Sequence, residues 1–173
     1  MNRVSVLGCA GSGKSHVSRV LAEKLGLPII YFDHHGWSLD GASVNKDEFV
    51  QKIFSIMREC EDKWVTDGNH SRDDELTKYR FLKSDLIVLL DFCEQDCTDA
   101  IRTRHGQKRL DIPDGFTETP EGVEQLVKHA GKWFLDKKPE LILSQARKYS
   151  AQNKLVILKN RAQVDEFLQS FKL

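Results

Sequence analysis

The sequence predicts an α/β fold in which a parallel β-sheet is covered by helices on both faces. Apolar runs alternate with helical patterns along the chain, and the runs are continuously apolar rather than alternately polar. Strands of a parallel sheet are buried on both faces, so they show this continuous pattern. The five runs are residues 3–7, 28–32, 64–66, 85–90 and 155–158. A chain of 173 residues suits one domain with a proper core, so we expect a single domain over residues 1–173.

Helical patterns connect these runs in the first half of the chain. A helix is predicted over residues 15–25, because its apolar residues fall on one face and Gly26 follows as a stop signal. Asn45 is a candidate N-cap for a second helix, with Glu48 as its capping partner. The apolar residues at helical spacing after this cap are Phe49, Val50, Ile53, Phe54, Ile56 and Met57. A further helix is predicted over residues 95–104.

The second half shows a loop and then more helix. Residues 106–120 hold glycine, proline and mixed charge with few apolar side chains, which predicts a loop. Thr119 and Pro120 are expected to cap and begin a long helical region that reaches residue 149, with a break at Pro139. Asn160 is the expected N-cap of a closing helix. The apolar face of that helix is Val164, Phe167, Leu168 and Phe171.

The charge balance and the cysteines limit the possible partners. Basic and acidic residues both number 26, so neither nucleic acid nor an anionic membrane is an expected partner, although a local basic patch stays open. No run approaches the roughly 18 apolar residues of a membrane span. The N-terminus leads straight into the first strand, so we expect no signal peptide and a cytoplasmic location. The four cysteines lack a paired zinc-type spacing, which favours reduced thiols.

The segment GCAGSGKS at residues 8–15 fits the phosphate-loop pattern G-x-x-x-x-G-K-[ST] at every fixed position. Its glycines let the backbone N–H groups point at phosphate oxygens, and the next helix presents its positive dipole end to the same anion. Lys14 can reach the β- and γ-phosphates, and the Ser15 hydroxyl can bind Mg²⁺. The alternative is a chance glycine-rich turn, which the flanking strand and helix disfavour. The residues predicted to hold the nucleotide here are Gly8, Gly11, Ser12, Gly13, Lys14, Ser15 and His16.

Acidic side chains follow three of the predicted strands, at Asp33, Asp67 and Asp91. The carboxyl ends of parallel strands lie at one edge of a sheet, and ligands of open α/β sheets bind beyond that edge. Gly8 ends the first strand, so the phosphate loop belongs to the same edge. We therefore expect carboxylates to gather beside a bound triphosphate.

Two further segments, WVTDGNHSR at residues 64–72 and RTRHGQKR at residues 102–109, carry a family resemblance. With the phosphate loop and Asp33, they resemble the small P-loop kinases of the adenylate kinase and shikimate kinase group. The closest resemblance is to the topology modulation protein (FlaR-related) family, which carries a W-[IV]-x-D-G-N-[YH]-S-R-like segment. The resemblance implies a three-layer P-loop fold with the parallel strand order 2-3-1-4-5. It also implies an acceptor-binding segment at about residues 34–62 and a lid at about residues 104–120.

In that strand order the third strand lies next to the first, so the resemblance places Asp67 beside the phosphate loop. There Asp67 would hold Mg²⁺ together with Ser15, and a helix cap or turn is its alternative role. Asp33 would face the acceptor hydroxyl and orient it or accept its proton. The alternative for Asp33 is an N-cap or a turn residue.

The resemblance also assigns residues after the third strand to the acceptor. Gly68 would let the acceptor approach the backbone, and Asn69 and Arg72 would contact it. Arg72 lies where adenylate kinases use an arginine on the acceptor phosphate, but Ser71 stands where those kinases have proline. This departure leaves open whether the acceptor carries a phosphate.

Arginines border the expected lid. Arg102 and Arg104 would close over the transferring phosphoryl group in a site that excludes water, and Arg109 would contact the nucleotide. The alternative for these arginines is a solvated basic helix end. Arg161, after the last strand, is expected near the adenine ring, on which a guanidinium can stack.

The sequence therefore predicts an ATP-dependent phosphotransferase that uses Mg²⁺, with Lys14, Asp33, Arg102 and Arg104 as catalytic residues. Its acceptor would be a nucleoside monophosphate or a small hydroxylated metabolite. The alternative is a nucleotide-dependent regulatory or binding protein of the topology modulation type. A GTPase is disfavoured, because NKLV at residues 153–156 lacks the final Asp of the guanine-reading N-K-x-D. The sequence leaves a monomer and a homodimer equally open.

Overall fold

A computed structural model of the chain describes residues 1–36, 44–69, 74–104, 106 and 119–171. Within these residues, five parallel strands form one sheet in the order β2-β3-β1-β4-β5. The strands are β1 (Arg3–Gly8), β2 (Ile29–Tyr31), β3 (Trp64–Asp67), β4 (Leu86–Leu90) and β5 (Leu155–Leu158). The fold class and the strand order that the resemblance implied are both confirmed.

The helices lie between successive strands along the chain, except α8, which follows β5. They are α1 (Lys14–Leu25), α2 (Phe32–His35), α3 (Lys46–Glu59), α4 (Asp74–Lys83), α5 (Glu94–Thr103), α6 (Pro120–Leu135), α7 (Lys138–Lys148) and α8 (Arg161–Ser170). Among the described helices, none is both long and apolar enough to cross a membrane.

Three of these helices differ from the sequence prediction. The second strand ends at Tyr31, so Asp33 lies in the short helix α2 instead of directly after a strand. Helix α4 was not predicted at all. The break in the long helical region falls before Pro139, at Lys137, whose backbone adopts the left-handed conformation with φ 48°. Pro139 then occupies the first turn of α7, where a proline is tolerated because that N–H needs no partner within the helix.

The three predicted N-caps are confirmed by hydrogen bonds. The side chain of Asn45 accepts from the backbone N–H of Asp47 (2.9 Å), and that of Asn160 accepts from Gln163 (2.9 Å). Thr119 caps α6 in the same way, with Pro120 in the first turn. Each cap satisfies an N–H group that the helix itself leaves without an acceptor.

The core explains why the strands read as continuous apolar runs. Every residue of β3 and of β4 is buried, because both strands lie inside the sheet with a neighbour on each side. The edge strand β5 is largely half-buried. A second, smaller apolar cluster forms under α3 and includes Phe32, Ile53 and Trp64. This cluster and the larger one around β1 and β4 together support the carboxyl edge of the sheet, where the phosphate loop begins.

Candidate functional site

The phosphate loop leaves β1 at Gly8 and enters α1 at Lys14. Gly11 lies in the loop with φ 82°, a conformation that residues with a side chain rarely adopt. A Cβ atom at Gly11 would lie only 2.1 Å from the carbonyl oxygen of Cys97 in α5. The loop therefore packs directly against the backbone of α5, and only glycine fits at this position.

The carbonyl oxygen of Cys9 is the shared acceptor of three hydrogen bonds within the loop. It accepts hydrogen bonds from the Lys14 ammonium (2.9 Å), the Ser12 hydroxyl (2.8 Å) and the Ser12 backbone N–H (3.2 Å). The Lys14 side chain consequently folds back across the loop. An anion bound in the loop would compete with a neutral carbonyl for this ammonium, and a charged acceptor makes the stronger hydrogen bond.

The N-terminus of α1 differs from those of the helices with predicted caps. Its N-cap is Gly13, no side chain caps it, and its first turn contains no acidic residue. The first-turn N–H groups of a helix and its positive dipole end attract anions. Ser15 is half-buried in this turn, whereas the side chain of His16 is exposed. The arrangement suits a phosphate held by the loop backbone and the start of α1.

Asn69 clamps the first residue of the loop. Its side-chain oxygen accepts from the Gly8 backbone N–H (2.9 Å), and its side-chain nitrogen donates to the Gly8 carbonyl (2.7 Å). The strand register explains this pairing. Asp67, the last residue of β3, lies opposite Val6, so Asn69, two residues after Asp67, lies level with Gly8, two residues after Val6. The acceptor contact that the resemblance implies for Asn69 stays a prediction, and the structure shows that this side chain bonds to the first residue of the phosphate loop.

Arg80 of α4 lies beneath this clamp, and the sequence analysis missed it. The residue is 2% exposed, and its guanidinium donates to the Asn69 carbonyl (2.8 Å), the Thr66 hydroxyl (3.1 Å) and the Ser5 hydroxyl (3.3 Å). It also lies 4.7 Å from the ring centre of Phe32. Burial lowers the pKa of Arg80 to about 9, and the charge of Asp67 acts in the opposite direction, so the guanidinium stays charged at neutral pH.

Asp67 ends β3 next to β1 and is 5% exposed. Its carboxylate and the Ser15 hydroxyl are oxygen ligands, the type that Mg²⁺ prefers. The part of the chain that the structure describes contains no cluster of three or more His, Cys, Asp or Glu residues suited to a metal. Magnesium sites in nucleotide enzymes commonly take only one or two protein ligands and complete their shell with phosphate oxygens and water. The donors present therefore fit a magnesium ion that arrives with a nucleotide.

The packing of Phe32 requires a glycine at position 68, a requirement that the sequence did not predict. Its φ is 129°, and a Cβ atom there would lie 2.8 Å from the Cβ of Phe32. The close approach of Phe32 thus requires glycine after Asp67. The same contact brings the start of α2 against the end of β3, next to the strand of the phosphate loop.

The predicted acceptor side is more exposed than the loop. Asp33 is exposed in α2, beside His34, whose ring stacks on Tyr31 at 5.1 Å. Burial lowers the pKa of the adjacent His35, and the charges of Lys52 and His34 add to this effect. Two positions predicted from the resemblance, Arg72 and Arg109, lie outside the described residues, as does most of the expected lid.

The two predicted lid arginines separate in the structure. Arg102 is exposed and its Nε lies 3.5 Å from a carboxylate oxygen of Glu124 in α6. Arg104 instead lines an open cavity of about 650 Å³ between α5 and the start of α8. Asp96 and Asp99 also line this cavity. Its volume is within the range of small-molecule sites.

Arg161 connects the cavity to the phosphate loop. It lines the cavity, and its guanidinium lies 5.4 Å from the ring centre of Phe92. A Cβ atom at Gly13 would lie 3.0 Å from Nη1 of Arg161. A ligand that filled both the cavity and the loop would therefore pass directly by this arginine. Sequence reasoning placed Arg161 near a nucleobase, and no single-residue signal could have revealed the cavity.

The cysteines are free thiols, as the spacing predicted. Cys9 and Cys97 are both buried where the loop meets α5. The hydrogen bond with the Cys9 thiol raises the pKa of Cys97, and burial adds to this effect, so Cys97 remains a protonated, apolar side chain. This contact forms part of the packing that holds the loop on α5.

Three solved structures with a similar fold are two shikimate kinases and a gluconokinase. A shikimate kinase from Acinetobacter baumannii in complex with shikimate aligns with a TM-score of 0.57 and 16% identity, over 98% of this chain and 90% of that chain. A shikimate kinase from Bacteroides thetaiotaomicron gives 0.54 and 15%, over 98% and 95%. A gluconokinase from Sinorhizobium meliloti 1021 gives 0.53 and 14%, over 98% and 94%. At these identities the likeness shows the P-loop fold alone.

Sequence comparisons add one family. No curated protein matches the chain. The resemblance to the topology modulation family therefore remains a prediction from the sequence. The family model of the NB-ARC domain matches residues 1–111, a segment that holds the phosphate loop, Asp67, Asn69 and Arg80. Since this match spans more than half of the chain, the protein belongs to the NB-ARC domain family within the P-loop NTPase fold.

Proposed function

We propose that the protein is a phosphotransferase that transfers the γ-phosphoryl group of ATP to a small acceptor. The observation that carries this proposal is the convergence at one sheet edge of an uncapped α1 N-terminus, the Lys14 ammonium and the buried Asp67 carboxylate. A cavity of suitable size adjoins that edge. Together these features supply a place for each part of a nucleoside triphosphate.

The base of the nucleotide would occupy the cavity between α5 and α8. Arg161 would stack against it, and the open wall of the cavity would leave part of the base in contact with solvent. The phosphates would then run past Gly13 into the loop. On binding, Lys14 would exchange its bond to the Cys9 carbonyl for bonds to the β- and γ-phosphates.

Magnesium, when bound, would neutralise phosphate oxygens and hold them for in-line transfer. Ser15 and Asp67 are the residues that would hold it. The chain's own contribution is to orient the two reactants and to surround the transferring group with positive charge. Of the two arginines that the resemblance assigns to the lid, Arg104 lines the cavity proposed for the base and would contact the nucleotide there, whereas Arg102 pairs with Glu124 at the surface.

The acceptor would bind beyond α2. Asp33 would orient the acceptor hydroxyl or accept its proton. The solved structures with this fold include kinases named for shikimate and gluconate, which are hydroxylated acids. Together with Ser71 in place of the proline of nucleotide kinases, this favours a small hydroxylated acceptor over a nucleoside monophosphate.

A second candidate is a nucleotide-dependent regulatory or binding protein without an acceptor. One observation favours it: of the predicted catalytic groups, Arg102 pairs with Glu124 at the surface and Asp33 is exposed. Such a protein would need the phosphate loop and Asp67, but not Asp33.

The deciding experiment incubates the protein with ATP labelled on the γ-phosphate and a panel of acceptors. The panel holds hydroxylated acids, sugars and nucleoside monophosphates, and Lys14→Ala serves as the inactive control. The proposal predicts a labelled organic product with at least one acceptor. Labelled inorganic phosphate alone, with every acceptor, would favour the regulatory protein.

A further inference from the structure

Arg80 is a buried charge outside the residues to which the proposed phosphoryl transfer gives a role. Removing a guanidinium from water is costly unless its charge and its N–H groups are satisfied. Here three hydrogen bonds and the ring of Phe32 surround it, and its acceptors lie on β1, on β3 and just after β3. An apolar side chain would fill the same space without this cost. The polar environment therefore suggests a specific task.

One bond of Arg80 leads to the phosphate loop. Nη1 donates to the carbonyl of Asn69 (2.8 Å), and the side chain of Asn69 holds both backbone polar atoms of Gly8 (2.9 and 2.7 Å). Strand β3 ends at Asp67, so Asn69 lies beyond the hydrogen bonds of the sheet. The bond from Arg80 thus holds the backbone of Asn69 at the distance from which its side chain reaches Gly8.

The remaining hydrogen bonds of Arg80 connect its guanidinium to strands β1 and β3. Its Nε and Nη2 donate to the hydroxyls of Ser5 and Thr66, and these two hydroxyls also bond to each other at 3.1 Å. Ser5 and Thr66 are direct neighbours across β1 and β3. The charge of Asp67 acts on the same guanidinium. One side chain therefore links the strand of the phosphate loop with the strand of the proposed magnesium ligand.

We propose that Arg80 is a positioning residue for the phosphate loop: it acts through Asn69 on Gly8, and it holds β1 and β3 so that Asp67 stays beside the loop. The expected effect of Arg80 on nucleotide affinity rests on the proposed function. The expected effect of Arg80 on Gly8 applies to the protein without any ligand.

The test of the ligand-free part is amide hydrogen exchange at Gly8, followed by NMR. In Arg80→Met, the Gly8 amide is expected to exchange about tenfold faster than in the wild type, because its acceptor on Asn69 is no longer held in place. The amide of Val88 in the central strand β4 reports global unfolding. The matched control is Lys83→Met, which removes an exposed cation from the same helix and leaves Gly8 unchanged.

Two outcomes overturn the proposal. One is an unchanged Gly8 exchange rate in the Arg80 variant. The other is an equal acceleration at Gly8 and Val88, which would mean that Arg80 merely stabilises the fold. If Arg80→Met does not fold, Arg80→Lys takes its place. The lysine keeps the charge but cannot reach three acceptors at once, so its Gly8 and Val88 exchange rates are compared in the same way. A Gly8 rate equal to that of the wild type in Arg80→Lys overturns the proposal.

The relay through Asn69 is tested by a double-mutant cycle. Asn69→Ala is expected to accelerate Gly8 exchange as much as Arg80→Met does, and the double variant is expected to show no further acceleration. Acceleration by the product of the two single effects would show that the residues act independently, and would overturn the relay.

Calorimetry with Mg-ATP tests the second part. Arg80→Met and Asn69→Ala are expected to weaken binding about tenfold, a size typical of residues that orient ligand-holding groups, while Lys83→Met binds normally. Normal affinity in both variants overturns this part. If the wild type binds no nucleotide, the proposed function fails, and the exchange data still decide whether Arg80 positions Gly8.

Discussion

The phosphate loop is held by buried groups from several elements, whereas the cavity next to it is open and bordered by exposed charges. Around the loop, the Cys97 backbone, Asn69 and Arg80 leave little freedom. Around the cavity, Arg161 is exposed and the nearby Arg102 makes one surface ion pair. This difference implies that substitutions of the buried groups that pack the loop change stability and binding together. Substitutions on the cavity side should change binding or turnover alone.

The largest effect is expected at Gly11. Gly11→Ala places a Cβ atom 2.1 Å from the Cys97 carbonyl in a backbone conformation with φ 82°. We expect a loss of about 2–4 kcal/mol of unfolding free energy and no measurable ATP binding. Urea denaturation and calorimetry measure the two effects.

Gly36→Ala is the control for this variant, because the nearest atom to its new Cβ would be 3.9 Å away. It should cost less than about 1 kcal/mol. A folded Gly11→Ala protein that binds ATP normally would contradict the rigid packing of the loop on α5.

The next effect concerns the two lid arginines. Arg104→Met should reduce kcat/KM for ATP about a hundredfold with an unchanged melting temperature, because Arg104 lines the cavity proposed for the base. Arg102→Met should reduce it less than about fivefold, because Arg102 pairs with Glu124 at the surface. ATP turnover with the best acceptor is the measurement, and Arg147→Met, at an exposed position of α7, is the control. Equal losses in both variants would mean that Arg102 leaves Glu124 when nucleotide binds.

A substitution at Asp33 should separate phosphoryl transfer from ATP binding. Asp33→Asn should lower kcat about a hundredfold and leave the Kd for ATP unchanged, because the carboxylate is proposed to act on the acceptor alone. Asp47→Asn, an equally exposed acid in α3, should leave both values unchanged. Full turnover in Asp33→Asn would remove Asp33 from the mechanism.

The smallest effect is a pH dependence at His35. Burial lowers its pKa in the folded protein, so the unfolded chain binds more protons there. The stability that the neutral His35 contributes is therefore present above pH 6.5 or so and is lost as the pH falls. His35→Gln should reduce the drop in melting temperature between pH 7.5 and 5.5 by about 2 °C. The same drop in His35→Gln as in the wild type, with exposed His129→Gln as control, would argue against this titration.

Local signals explain which parts of the molecule could be predicted from sequence. The phosphate loop, the caps at Asn45, Thr119 and Asn160, and the five strands each depend on residues within a few positions of one another. Burial on both faces makes the central strands visible as apolar runs. The strand order came from the resemblance, and the structure confirms it.

The remaining features depend on contacts between distant segments. The pairing of Asn69 with Gly8 needs the register of β1 and β3, and Arg80 contacts Ser5 across 75 positions. Helix α4 mixes polar and apolar residues, and the only sign of Arg80 is its place four residues after the buried Leu76. The cavity forms between α5 and α8, which are far apart in the chain. Such contacts leave no short-range pattern.

The most direct measurement is a calorimetric titration of Mg-ATP into the wild type and into Lys14→Ala. The wild type should bind one equivalent. Lys14→Ala should bind at least about a hundredfold more weakly, because it loses a charge-assisted contact to the phosphates. Its melting temperature should stay close to that of the wild type, because the one hydrogen bond of the Lys14 ammonium within the described residues goes to the Cys9 carbonyl. Absence of binding by the wild type, or equal binding by both proteins, would contradict a nucleotide site at this loop.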